Sequence, residues 1–258
     1  MKKLILLIVA ACMTCTAAFA QTVKPFKEGE RAVFLGNSIT DGGHYHSYIW
    51  LYYMTRFPDM PIRVFNGGIG GDTAYDMNKR LDGDIFAMKP SVLMVTFGMN
   101  DSGYFEYNGD KPKEFGEQKY QESIKNYQQM EKRFKDLPDT RIVMVGTSPY
   151  DETVQLKENT PFKTKNETIK RLVEYQKESA AKNNWEFTDL NAPMTAINQQ
   201  YQQKDPTFTL CGSDRIHPDN DGHMVMAYLF LKAQGFVGKE VADMEINANK
   251  KQAVKSEN

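Results

Sequence analysis

Cysteine is scarce in this chain. Of 258 residues only three are cysteines, and Cys12 and Cys15 stand near the amino terminus, which leaves Cys211 alone in the rest of the sequence. No internal disulfide can form in that larger part, which excludes a small fold held together by disulfides. Stability must come from a hydrophobic core, and a chain of this length is sufficient for one large domain.

Long apolar runs and an excess of one charge are also missing. No segment after the first 20 residues approaches the roughly 20 apolar residues that a membrane helix requires, so no integral membrane segment is expected once an amino-terminal signal is removed. Basic residues number 32 and acidic residues 33, and no long basic block occurs. Nucleic acid is therefore not an expected partner.

The amino terminus has the layout of a secretory signal peptide. Two lysines precede an apolar stretch over residues 4–11, and the letters AFA at 18–20 form a typical cleavage site. We therefore expect a signal peptide over residues 1–20 and an exported product, periplasmic or secreted. The letters VAAC at 9–12 keep a lipoprotein anchor at Cys12 open as an alternative.

Short apolar runs alternate with longer amphipathic stretches along the rest of the chain. Continuous apolar runs are typical of parallel strands that are covered by helices on both faces. The pattern predicts an α/β fold: a flavodoxin-like three-layer α/β/α sandwich with a five-stranded parallel sheet. The predicted strands are 32–35, 62–65, 92–97, 142–145 and 185–188, and the predicted helices are 48–57, 117–134, 162–183 and 223–233.

This alternation indicates one domain over residues 21–245. Residues 246–258 are polar and charged, with almost nothing to bury, and are predicted to form a frayed tail.

The segment Gly-Asn-Ser-Ile-Thr-Asp-Gly at 36–42 follows the first predicted strand directly. A serine on a tight turn at the carboxyl end of a strand exposes its hydroxyl on the rim of an open sheet. Gly-x-Ser also occurs in turns where the serine merely caps a helix. Ser38 is therefore a candidate nucleophile that needs support from other segments.

A serine nucleophile needs a base, and the sequence has four histidines. His217 lies in the letters DRIHP at 214–218, three residues after Asp214 and just before the last predicted helix. One turn can present both side chains together, so the Asp214 carboxylate would orient the imidazole and stabilise the imidazolium. A solvent-exposed or capping turn is the alternative interpretation.

Acyl transfer also needs hydrogen-bond donors where negative charge develops on the carbonyl oxygen. Two segments at predicted strand ends offer them. The glycine-rich turn at 66–73 can point a backbone N–H group at a ligand, and Asn100 can offer its side-chain amide. Carboxyl ends of adjacent parallel strands converge on one crevice, so these segments are expected to meet Ser38 there.

Together these segments resemble the four sequence blocks of the SGNH hydrolases, also called GDSL-type esterases. The resemblance runs from about residue 32 to residue 228. It implies Ser38, Asp214 and His217 as the catalytic residues, and an oxyanion hole made by the backbone N–H groups of Ser38 and Gly71 with the Asn100 side chain. One departure is visible: the usual Gly-Asp-Ser reads Gly-Asn-Ser here, with Asn37 in place of the aspartate.

No metal and no cofactor are expected from this mechanism. His44 and His46 with Asp41 suggest a metal site only weakly, because a short loop would need a further ligand from elsewhere. The two histidines are instead predicted to be substrate-binding residues beside the crevice. The glycines at 67–71 lack the spacing of a dinucleotide site.

The substrate is predicted from the loops. Tyr104 and Phe105 follow Asn100 and are expected to overhang the crevice, where aromatic and polar groups together suit a sugar ring. In the family that this sequence resembles, exported members commonly act on acylated carbohydrates. The resemblance therefore favours a small acyl ester on a glycan, mainly an acetyl ester, as the substrate. A lysophospholipase or thioesterase of the same fold and a catalytically silent carbohydrate-binding protein are the alternatives.

Overall fold

The computed structural model describes residues 22–238 and, nearer the carboxyl terminus, residues 243–247, 249 and 252–257. The predicted signal peptide and the alternative anchor at Cys12 lie outside these residues. Within the described part of the chain, no helix is long and apolar enough to cross a membrane.

The centre of the molecule is a five-stranded, all-parallel sheet in the order β2-β1-β3-β4-β5. This order confirms the predicted flavodoxin-like sandwich. The strands are β1 (Arg31–Gly36), β2 (Arg63–Gly68), β3 (Val92–Val95), β4 (Arg141–Gly146) and β5 (Glu186–Asp189).

Helices cover the sheet on both faces. Side chains alternate across a strand, so Ala32 and Phe34 of β1 belong to one apolar cluster and Val33 and Leu35 to the other. The helices are α1 (Ser38–Asp41), α2 (His44–Arg56), α3 (Ala74–Arg80), α4 (Pro112–Lys135), α5 (Lys165–Lys182), α6 (Asn191–Gln202) and α7 (Asn220–Ala233). Core residues of α2, α6 and α7 join the first cluster, those of α3 and α4 join the second, and α5 contributes to both.

Burial of the strands follows their place in the sheet. The central strands β1, β3 and β4 are buried almost throughout, whereas the edge strands β2 and β5 are only partly buried. Continuous apolar runs therefore mark the three central strands most clearly in the sequence.

The strand order indicates at which edge of the sheet a ligand is expected to bind. The chain runs from β1 outward to β2 and then returns past β1 to form β3, so the direction of winding reverses beside β1. Ligands bind in open α/β sheets at the carboxyl ends of strands where such a reversal occurs. The segments that follow β1, β2 and β3 lie at this edge.

The polar tail predicted for residues 246–258 is corrected by the structure. Strands β6 (Asp243–Asn247) and β7 (Gln252–Glu257) form a separate antiparallel pair. The sequence 243–247 alternates polar with apolar residues, and this period of two is typical of a strand. Charge content alone led to the prediction of a tail.

Candidate active site

Ser38 is the first residue of the single-turn helix α1, directly after β1. The buried side chain of Asn37 caps this turn by accepting a hydrogen bond from the Ile39 N–H group at 3.1 Å. On the adjacent strand end, a Cβ atom at Gly68 would lie 2.2 Å from the Asp41 nitrogen. Only glycine permits this close approach, which holds the serine turn against the end of β2.

His217 and Asp214 lie on the loop before α7 and reach Ser38. The Ser38 hydroxyl and His217 Nε2 are 2.7 Å apart, and His217 Nδ1 is 2.6 Å from Asp214 Oδ2. The other carboxylate oxygen, Asp214 Oδ1, accepts the N–H groups of Ile216 and His217, each at 2.9 Å. The structure thus brings the three predicted catalytic residues into one continuous hydrogen-bonded chain.

The two ionisable groups of this chain support each other. The hydrogen bond with Asp214 raises the pKa of His217 above its ordinary value, outweighing the opposite effect of burial. Burial alone would raise the pKa of Asp214, but hydrogen bonds from the His217 side chain and from the Ile216 and His217 backbone hold it below its usual range. Near neutral pH, Asp214 is therefore a carboxylate beside a basic imidazole.

Arg215 fixes the loop that carries these two residues. Its buried guanidinium donates to the carbonyl oxygens of Asp151, Val154 and Asn159 in the loop after β4. Its own carbonyl accepts the Asp151 N–H group, and its φ of +68° lies in the left-handed region. Nothing in the sequence distinguishes this arginine from an exposed one.

The glycine turn at 66–73 contacts Asn100 and approaches the serine turn. A Cβ atom at Gly70 would be 3.9 Å from the Ser38 Cβ, which shows how closely the glycine turn approaches the serine. Asn100 Nδ2 donates to the Asp72 carbonyl oxygen at 2.9 Å. Within the described residues, the backbone N–H groups of Ser38 and Gly71 have no hydrogen-bond partner.

Two charged residues that the sequence analysis missed, the half-buried Arg80 and the buried Asp101, hold these turns. Arg80 contacts Asp72 through Nε at 2.6 Å and donates to the carbonyl oxygens of Gly67 and Gly36. Asp101 accepts hydrogen bonds from the backbone of Ala74 and Gly98 and from the Ser123 hydroxyl. Each joins segments that are distant in sequence, so their roles are visible only in the folded chain.

His46 is a correction to the predicted substrate-binding set. It is only 5% exposed, it donates from Nε2 to the Thr40 carbonyl oxygen at 3.2 Å, and its ring packs against Phe34. Burial lowers its pKa, which favours the neutral form. The ring lies on the inward side of α2, in the apolar core, so it faces the sheet rather than a substrate.

The other three residues of that set occupy different positions. His44 is exposed, stacks on His223 and lines an open cavity of about 380 Å³ beside Pro218. Phe105 is 79% exposed and packs edge-on against Phe162. Tyr104 is half-buried, and its hydroxyl donates to Asn100 Oδ1. The tyrosine therefore contacts the oxygen end of the Asn100 amide, opposite the nitrogen that donates to Asp72.

Metal ligands do not cluster in the part of the chain that the structure describes: no group of three or more histidine, cysteine, aspartate or glutamate side chains is placed to hold an ion. The chain from Ser38 to Asp214 consists of hydrogen bonds between protein side chains.

Known proteins resemble this chain in sequence and in fold. The model of the GDSL-like lipase/acylhydrolase family matches residues 34–225. An acetylxylan esterase from Geobacillus stearothermophilus is 27% identical over 224 residues, which cover 81% of this chain and 95% of that protein. A solved structure described as a catalytic mutant of an acetylxylan esterase from the same organism shares the fold, with a TM-score of 0.65 and 24% identity over 82% of this chain and 96% of that one.

A solved structure of a gut microbial diltiazem-metabolizing enzyme is 85% identical, with a TM-score of 0.87. The match covers 92% of this chain but 54% of the other, so the chain spans about half the length of that protein.

Fold, site and family model together define a carboxylic ester hydrolase of the α/β class. The chain belongs to the GDSL-like lipase/acylhydrolase family, within the SGNH hydrolase superfamily.

Proposed function

We propose that this protein is an exported serine esterase that removes acetyl groups from carbohydrate, with Ser38 as nucleophile. The observation that carries the proposal is the hydrogen-bonded chain from Ser38 through His217 to Asp214. Support for the substrate class comes from the acetylxylan esterase that is similar over 95% of its length.

The proposed reaction has two steps. Ser38 Oγ attacks the ester carbonyl carbon while its proton passes to His217 Nε2, and Asp214 stabilises the imidazolium. The tetrahedral intermediate then collapses, the C–O bond to the sugar breaks, and Nε2 returns the proton to the leaving oxygen. Water repeats the sequence on the acyl-serine, with His217 again taking a proton, and releases acetate and free Ser38.

The negative oxygen of both tetrahedral intermediates is assigned to three donors. These are the unpartnered backbone N–H groups of Ser38 and Gly71 and the second N–H bond of the Asn100 amide, whose first N–H is used on Asp72. A preorganised donor of this kind is typically worth about 3 kcal/mol in the transition state.

One of these donors, Asn100, also lines a cavity with space for a sugar. An open cavity of about 310 Å³ extends from Asn100 between α3 and α4. Its lining includes the half-exposed ring of Tyr75 together with the polar side chains of Thr73, Lys119 and Glu122. An aromatic face combined with hydrogen-bonding side chains suits a pyranose ring better than a long acyl chain.

The test compares acyl chain length and leaving group in one experiment. Turnover of p-nitrophenyl acetate, octanoate and laurate is measured beside acetate release from acetylated xylo-oligosaccharides. We expect acetate to be preferred over octanoate by at least about tenfold, the difference that about 1.4 kcal/mol produces, and free acetate to appear from the sugar. A preference for laurate would favour the lysophospholipase alternative, and binding of the sugar without hydrolysis would favour the silent binding protein.

Diltiazem is a second proposed substrate of the same site. It is favoured by the 85% identity to an enzyme that metabolizes this compound. Incubation with diltiazem, followed by mass spectrometry, should show loss of an acyl group with the unmodified protein and none with Ser38→Ala. A product without that loss, or one formed by both proteins, would contradict this assignment.

The pH profile should report His217. Only the neutral imidazole can take the serine proton, so kcat/KM is expected to fall as the pH is lowered through the His217 pKa. Because the Asp214 hydrogen bond raises that pKa, the midpoint of the acid limb should lie above the ordinary histidine value of 6.5. A profile of p-nitrophenyl acetate hydrolysis with its midpoint below 6.5 would contradict the assignment of His217 as the base.

A further inference from the structure

The amide of Asn100 is fixed at both ends. Its nitrogen donates to the Asp72 carbonyl oxygen, and its oxygen accepts the hydroxyl of Tyr104. The two ends of an amide differ in that only the nitrogen donates. Tyr104 therefore favours the orientation in which Nδ2 lies on the side of Asp72, with one N–H bond left for a ligand.

Tyr104 is itself held by the buried side chain of Lys165. The Lys165 amino group lies 3.9 Å from the centre of the tyrosine ring, and Phe162 packs edge-on against the same ring. Burial raises the pKa of Tyr104, so the phenol stays protonated and remains a donor throughout the neutral range. Both the position of the ring and the presence of its proton are thus determined by the surroundings.

The same lysine fixes the backbone on both sides of Asn100. Its three N–H bonds go to the carbonyl oxygen of Met99 at 2.7 Å, to the Ser102 hydroxyl at 2.6 Å and to the carbonyl oxygen of Gly103. Lys165 belongs to α5, so this loop is fastened to a helix that the sequence places more than 60 residues away. Main chain and side chain of Asn100 are therefore positioned from one cluster.

We propose that Tyr104 is a positioning residue for the oxyanion donor Asn100, acting through the hydrogen bond from its hydroxyl to the amide oxygen. The inference rests on the proposed function, because it concerns an amide that is assigned to the reacting oxygen. It changes the predicted role of Tyr104 from contacting the substrate to selecting the orientation of the group that does.

Tyr104→Phe isolates this hydrogen bond, because the phenylalanine ring can keep its place over Lys165 and against Phe162. We expect kcat for p-nitrophenyl acetate to fall about 5- to 20-fold, with KM changed less than about twofold. The loss is smaller than the 10²- to 10³-fold, roughly, expected for Asn100→Ala, which removes the donor itself. Tyr228→Phe, at a half-exposed tyrosine of α7, is the matched control and should change neither constant.

A double-mutant cycle separates positioning from a general structural effect. If Tyr104 acts through Asn100, Tyr104→Phe should have almost no further effect in the Asn100→Ala background. An equal loss in both backgrounds, or no loss in the single variant, would overturn the inference while leaving the role of Asn100 intact. Full activity of Asn100→Ala would overturn both the inference and the proposed oxyanion hole. Thermal melting of each variant confirms that it is folded.

Discussion

Ser38→Ala is expected to reduce kcat on acetylated xylo-oligosaccharide by a factor on the order of 10⁵ to 10⁶. The physical reason is that the substitution removes the only protein atom that forms a covalent bond to the acyl group in the proposed mechanism. Within the described residues the hydroxyl forms a hydrogen bond with His217 alone, so its loss should leave the fold intact. The measurement is acetate release at saturating substrate, with thermal melting as the check on folding.

Ser47→Ala is the matched control for this variant. Ser47 is an exposed serine at the start of α2, and its hydroxyl bonds to the Gly43 carbonyl oxygen within the same turn. It should retain full activity. If Ser38→Ala instead kept more than about one hundredth of the wild-type rate, covalent catalysis at this serine would be wrong, because binding and oxyanion stabilisation alone leave far less.

The sequence predicted the five-stranded parallel sheet well, and the reason is physical. Central strands are buried on both faces, which forces continuous apolar runs such as 92–97. The segments proposed to be catalytic directly follow such runs or precede the last apolar helix. Spacing alone also placed Asp214 and His217 together, since a single turn separates them.

Short and partly polar elements escaped prediction. Helix α1 is a single turn, α3 has seven residues, and α6 contains Pro193 in its first turn, so none shows a long apolar period. The direction in which a helical side chain points could not be predicted from the sequence either. His46 and His44 are two residues apart, and only the packing of α2 decides that one is buried and the other exposed.

The charged residues that support the site could not be predicted from the sequence, because each of them joins segments that are distant along the chain. Arg80, Lys165 and Arg215 are charged residues whose sequence neighbours suggest a solvent-exposed surface. Each nevertheless donates to two or three backbone carbonyl oxygens, those of strand ends for Arg80 and of loops for the other two. Burying a cation is costly unless its donors are satisfied. Their burial therefore indicates that they fix the site loops, and it explains how exposed loops keep catalytic geometry.

Asp214→Asn is the second substitution with a large expected effect, about 10³- to 10⁴-fold in kcat. Asparagine keeps the size of the side chain and can still accept the backbone N–H groups of Ile216 and His217 through Oδ1. Its amide nitrogen, however, would face His217 Nδ1, which must then accept a hydrogen bond. The imidazole proton is thereby moved to Nε2, and the ring can no longer take the proton of Ser38.

Asp205→Asn is the matched control. It shows whether the loss of activity comes from the changed tautomer of His217 or only from a weakened turn. Asp205 is exposed, and its Oδ1 accepts the backbone N–H group of Thr207, two residues later, just as Asp214 Oδ1 accepts that of Ile216. Both substitutions thus remove the same charge from the same kind of turn, but only one of the two faces a histidine. Steady-state kinetics on p-nitrophenyl acetate should show the loss for Asp214→Asn alone. A comparable loss for both variants, or a loss below about tenfold for Asp214→Asn, would mean that the carboxylate shapes the loop without controlling the proton on His217.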